Sequence, residues 1–233
     1  MRHVKKIIFI ILFFIMILIG KNINFSQLIG EPNQFFTLFQ FFGPIAGFFL
    51  GPIYGAATIL LALLADLLIL GKTFSLINLL RLLPMLFAAY YFGTKNRTVS
   101  VIVPLICMTL FMMHPVGREV WFFSLYWLIP VVATLLPKRV PGQVVWRSYG
   151  ATFTAHAVGG AIWIYTVPMT AAQWISLIPI VAYERFLFGL GIIASYAIFN
   201  ILLNYIVDKW KIKLPVKALN LDQKFALFRN AKG

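Results

Sequence analysis

Eight ionisable side chains stand inside or beside long apolar runs: Asp66, Arg81, His114, Arg118, Glu119, His156, Glu184 and Arg185. A charge at the centre of a lipid bilayer costs about 2.5–3.5 kcal/mol on insertion scales, so each requires a partner, a water-lined cavity or a ligand. Glu184 and Arg185 make the strongest case, because both lie far from either end of one apolar segment. Consecutive residues on a helix point about 100° apart, so the two are expected not to pair with each other. Each should then meet its own partner or a cavity. His156 falls on a helix face with Thr152, Gly160 and Trp163, beside a stripe of small residues, Ala151, Ala155 and Gly159. A histidine there either bonds a neighbouring helix or meets a ligand on which Trp163 could stack. Asp66 and Arg81 are expected about one turn below the outer surface. They could pair across adjacent helices, and Arg81 could equally snorkel to the headgroups. His114, Arg118 and Glu119 belong to one outer connection, HPVGRE, where Arg118 and Glu119 could simply cap a loop in solvent. The candidate ligand-binding set is Glu184, Arg185, His156, Asp66, Arg81, Arg118 and Trp163.

Other chemistries lack their residues. The chain contains no G-x-x-x-x-G-K-[ST] phosphate loop, no H-E-x-x-H metal pair, no G-x-S-x-G elbow and no acidic cluster for magnesium-assisted chemistry. Cys107 is the single cysteine, so the chain alone supports no disulfide or zinc framework, and a buried cysteine usually packs as a small hydrophobe. No catalytic residue, metal or cofactor is expected.

These residues must be positioned by elements suited to lipid. Of the 233 residues, 61% are apolar and 11% charged, against about a quarter charged in soluble domains. A spanning helix needs roughly 20 apolar residues, and backbone groups in lipid must bond within the segment or within a closed barrel. Barrel strands alternate polar and apolar side chains; these runs do not. The expected fold is all-α, a polytopic helical membrane protein with six to eight transmembrane helices. Apolar segments fall at about 7–20, 35–51, 53–70, 76–93, 98–113, 120–137, 148–167 and 174–206. The first follows Arg2, Lys5 and Lys6 and lacks a small-x-small cleavage site before Lys21, so it reads as an uncleaved anchor. The last is too long for one straight span and should tilt, kink or include a re-entrant piece.

Charge placement orients the chain. Basic residues gather before the first span, at Lys95 and Arg97, at Lys138, Arg139 and Arg147, and in the tail from Lys209 to Lys232. These clusters hold fifteen of the twenty Lys and Arg residues. With the N-terminus inside, every cluster falls on the cytoplasmic face, as short cytoplasmic loops require. A multi-pass protein of the cell membrane with both termini cytoplasmic follows, organised as one transmembrane domain (1–207) and a short basic tail (208–233). Leu221, Phe225 and Phe228 recur at helical spacing in that tail, which fits either an interfacial amphipathic helix or a frayed basic end. The net charge of +14 is therefore accounted for by anionic lipid headgroups, and no nucleic-acid partner is expected.

The segment GPIAGFFLGPIYG, residues 43–55, repeats glycine every four positions: Gly43, Gly47, Gly51 and Gly55. Such spacing lets backbones approach closely in lipid. Pro44 and Pro52 interrupt a continuous helix, so a tight helical hairpin turning near Gly51-Pro52 is expected. This stretch resembles the substrate-binding S components of energy-coupling-factor (ECF) vitamin transporters, which commonly carry a GGF-x-GP-x-x-G hairpin followed by an acid-containing apolar run. The matching residues are Phe42, Gly43, Pro44, Gly47, Gly51, Pro52 and Gly55, then LLALLADLLIL with Asp66. INLLRLLPMLFAAYYFG, residues 77–93, is similar to the next helix. The likeness covers about residues 7–93. The first span lacks the small-x-x-x-small pattern that many S components set against their coupling partner, and the chain holds more apolar segments than the usual six. The resemblance implies capture of a vitamin-like micronutrient from outside, with release driven by a membrane coupling subunit and two ATPases.

The leading expectation is thus a membrane-embedded small-molecule binding component of an uptake transporter, energised by partner subunits, and not an enzyme. The alternatives are an integral membrane enzyme acting on a lipid or lipid-linked substrate, using His114, His156, Glu119 or Glu184, and a membrane scaffold that recruits a partner through its tail.

Overall fold

The computed structural model describes residues 2–27, 35–71, 73–137, 139–209 and 219–225. Helix dominates. The chain begins with α1 (Arg2–Lys21), then β1 (Asn24–Gln27) and β2 (Phe35–Thr37), a 3-10 turn (Leu38–Phe41), α2 (Ile45–Leu50) and α3 (Pro52–Ile69). It continues with α4 (Leu76–Leu80), α5 (Leu83–Gly93), α6 (Arg97–Met113), α7 (Pro115–Glu119), a 3-10 stretch (Trp121–Trp127) and α8 (Leu128–Leu135). Two long helices follow, α9 (Gln143–Thr166) and α10 (Ala171–Lys209), and then a 3-10 turn at Gln223–Phe225.

Three helical stretches are long and apolar enough to cross a membrane: Pro52–Ile69, Leu76–Gly93 and Ala171–Ile206. Their outward residues are large and apolar, such as Ile69 at 70% exposure and Tyr183 at 65%. So large an apolar exterior belongs against lipid tails rather than water. α9 falls short of that hydropathy for a physical reason. It is the central helix, with Ser148, Thr152, Thr154 and several glycines and alanines buried against its neighbours. A helix surrounded by protein can carry small and polar residues that a lipid-facing one cannot.

Several apolar runs divide into shorter elements. Residues 35–51 are not one continuous helix: Phe35–Thr37 pair antiparallel with β1, and a 3-10 turn and the short α2 follow. The turn expected near Gly51-Pro52 is present. Gly51 adopts φ 88°, ψ 159°, a conformation essentially reserved for glycine, and Pro52 opens α3 where its missing N–H costs nothing. The glycines do not share one helix face. Gly47 instead sits against the Ala89 carbonyl and Gly93 against the Gly47 carbonyl, so any Cβ there would collide with backbone. α2 and α5 thus cross in backbone contact. Gly55 packs against Ala46 and Gly47 across the hairpin, and Gly43 against the Phe39 ring and Met85 Sδ. The run 174–206, expected to bend or re-enter, lies within one 39-residue helix that carries Pro179 inside it.

Side chains gather into two cores. One joins α1, α2, α3 and α5 with Ile192 and Tyr196 of α10; the other joins α6, α8 and the first part of α10 with Phe123 and Trp127. α9 contributes to both. The tail segment 219–225 returns to the bundle. The Asn220 backbone N–H donates to Phe49 O at 3.0 Å and its amide to Phe48 O at 2.8 Å. Leu221 and Phe225 pack on the first core, whereas Phe228 lies outside the described residues.

Candidate ligand-binding cavity

A cavity of about 280 Å³ lies on the seam between the two cores. Leu63, Leu82 and Met85 of the first core form one side, and Phe123, Trp174 and Val181 of the second form the other. Its volume is near the lower end of the range for small-molecule sites, about 300–1,000 Å³. It occupies the end of the bundle where α1 and α9 finish and α10 starts. The basic residues Lys95, Arg97 and Arg147 sit at the opposite end, where Arg147 donates to the Thr94 carbonyl at 2.5 Å.

The hairpin of β1 and β2 closes one wall through Gln27, Phe35, Phe36 and Thr37. It also supplies the partner of Glu184. Ser26 Oγ donates to Glu184 Oε1 at 2.6 Å, a short bond of the kind a carboxylate accepts. Arg185, 2% exposed, lies over the rings of Phe36 at 4.5 Å and Phe188 at 4.9 Å. The expectation that neighbouring Glu184 and Arg185 could not pair needs correction. Their long side chains bring Nη2 within 3.9 Å of Oε2. That distance allows charge attraction and exceeds a hydrogen bond. Arg185 Nε–H has no hydrogen-bond partner among the described residues.

His156 is held from behind. The Trp127 indole N–H, which can only donate, reaches His156 Nδ1 at 3.1 Å. Nδ1 therefore accepts, and the ring proton sits on Nε2. Gly160, one turn along α9, makes room for the arrangement, since the Trp127 ring lies where a Cβ would stand, 2.6 Å away. Trp174 packs edge-on against Phe111 at 5.1 Å and Phe123 at 4.9 Å, and its Nε1–H also has no partner among the described residues. Arg81, at the break between α4 and α5, places its guanidinium 5.3 Å from the centre of the Trp163 ring. Both line the cavity.

Five of the seven residues singled out in the sequence thus share one cavity: Arg81, His156, Trp163, Glu184 and Arg185. Asp66 does not line it and does not pair with Arg81. Its carboxylate meets Lys21 Nζ at 2.7 Å, a contact of charges without hydrogen-bond alignment, and Lys21 itself faces the cavity. Arg118 is exposed on α7 with Glu119, away from the cavity. His114 stands edge-on to Tyr165 at 5.1 Å, and buried Cys107 belongs to the second core. Lys21, Ser26, Phe36 and Phe188 complete the surroundings of the charged residues. Their sequence signal was slight: Ser26 belongs to a short polar stretch whose contact with Glu184 depends on the hairpin.

Aromatic rings, side chains that carry hydrogen-bond donors and one carboxylate, Glu184, thus line one small space. Among the described residues, no three His, Cys, Asp or Glu side chains group closely enough to hold a metal ion. Compared with protein-family models, curated proteins and solved structures, the chain matches none.

Proposed function

We propose that this chain is a multi-pass protein of the cell membrane that captures a small molecule from the outer side, as the binding component of an uptake system. One observation carries the reading: Arg81, His156, Trp163, Glu184 and Arg185, drawn from three separate helical segments, line a single cavity. Buried ionisable groups in lipid are costly, and gathering them around one small space is the arrangement that a ligand rewards.

Eight segments account for the crossings, within the range of six to eight: α1, the broken stretch ending in α2, α3, α4 with α5, α6, the 3-10 stretch with α8, α9 and α10. An even number returns both termini to the cytoplasm, where the basic loops lie. The cavity then opens toward the outside. The Gly-Pro hairpin of α2 and α3 adds the likeness to S components of ECF transporters, so a membrane coupling subunit and ATPases would supply the energy this chain lacks a phosphate loop to harvest.

The test is equilibrium binding on purified protein, with filtrates of the growth medium as the source of ligand and mass spectrometry of what is retained. Retention of one compound at near-stoichiometric amount, reduced in Glu184→Gln and Arg185→Ala, is expected. Chemical conversion of the compound, abolished by His156→Ala, would instead favour a membrane enzyme.

A further inference from the structure

We infer that the ligand of this cavity is a one- or two-ring aromatic carboxylate, held by Arg185 and Trp174; the inference rests on the capture reading and adds the chemical class. Three side chains that line the same space carry N–H groups. Arg185 Nε–H and Trp174 Nε1–H have no hydrogen-bond partner among the described residues, and both side chains are almost fully buried. The third is the His156 Nε2–H, which the Trp127 bond to Nδ1 leaves as the ring's donor. Leaving a buried donor unmade costs free energy, more for a charged group, so a fitting ligand must bring acceptors.

A carboxylate answers this need best. It only accepts, offers about four lone-pair positions, and matches the edge of a guanidinium that includes Nε–H. The nearest acid does not already fill that role. Glu184 is engaged by Ser26 at 2.6 Å and stands 3.9 Å from Arg185, beyond hydrogen-bond reach. Its second oxygen can accept a hydrogen bond from a ring N–H or a hydroxyl of the ligand. The remaining walls favour a flat ring, with Phe36, Phe123 and Trp163 around the space. A volume of about 280 Å³ is enough for one or two fused rings.

The experiment is calorimetric titration of the detergent-purified full chain with benzoate, nicotinate and quinoline-2-carboxylate, each compared with its primary carboxamide. Benzylammonium serves as a cationic ring. Any small molecule released on denaturation is identified by mass spectrometry. At least one carboxylate is expected to bind ten- to a hundredfold more tightly than its carboxamide, the range of a charge-assisted hydrogen bond. Arg185→Lys, which keeps the charge and removes Nε–H, should lower that preference at least tenfold. Trp174→Phe, which keeps an aromatic ring and removes the N–H, should lower it severalfold. These two variants avoid the uncompensated hole that Arg185→Ala would leave. Carboxamides or benzylammonium binding as tightly as carboxylates, or a released molecule without an acidic group, would overturn the inference while leaving capture intact. No binding by any probe together with no released small molecule would overturn both.

Discussion

At the residue scale, the charged side chains in this fold are explained by what surrounds them. Glu184 and Arg185 stood out because two charges interrupt an apolar run, and the cost of burial makes that visible in any sequence. Their partners were not visible. Ser26 is 158 positions away in the chain, and Lys21 meets Asp66 only because α1 ends beside α3. The expectation of no contact between Glu184 and Arg185 came from backbone geometry alone; side-chain reach reduced it to 3.9 Å. Two outcomes follow. Ser26→Ala removes a hydrogen bond to a buried carboxylate and should lower stability by about 1.5–3 kcal/mol, read from unfolding in detergent. His156→Leu leaves the buried Trp127 N–H without its acceptor and should cost about 1–3 kcal/mol, whereas His156→Gln, which retains an acceptor, should recover part of it.

At the scale of elements, the helical hairpin and the long helices were legible, and the broken segment before them was not. Gly51-Pro52 announces a turn because glycine alone tolerates its dihedral angles and proline starts the next helix readily. Apolar composition alone makes residues 35–51 look like a continuous span, because it cannot distinguish a strand, a 3-10 turn and a short helix in sequence. Gly43-Pro44 was the signal of that break. Gly51→Ala should cost about 1–3 kcal/mol from its backbone conformation, although nothing lies within 4 Å of the position. Gly47→Val forces apart two backbones at α2 and α5, and should lose more, reaching or exceeding the ~1–3 kcal/mol of ordinary overpacking. Comparing the two variants by thermal unfolding separates dihedral strain from collision; equal losses would contradict the backbone crossing.

At the scale of the whole molecule, the fold is polarised. One end holds the cavity and the hairpin over it, and the other holds the basic loops and the tail segment. That segment is fixed to α10 by Tyr196 Oη donating to Asp222 Oδ2 at 3.0 Å and by the Asp222 backbone N–H donating to Asn200 Oδ1 at 2.8 Å. The sequence indicated this polarity through its Lys and Arg distribution, since loop charge is read directly from composition. It gave no indication of two cores with a seam between them, because that division depends on which helices meet. Orientation has a direct check. In a Cys107→Ser background, a cysteine at Arg118 should react with an impermeant thiol reagent added outside cells, and one at Arg97 should react only after permeabilisation. The reverse pattern would invert the topology and place the cavity toward the cytoplasm.

Whether the seam cavity holds a small molecule is read by native mass spectrometry of the intact protein. Gly159 lines the cavity, and a Cβ there would meet only Pro84, at 3.6 Å, so Gly159→Leu can fill the space with little disturbance to its neighbours. The wild-type protein should carry one added mass of a small organic molecule, and Gly159→Leu should lose it while remaining folded. An unliganded wild-type protein under all growth conditions, or an added mass that persists unchanged in the filled variant, would contradict the account.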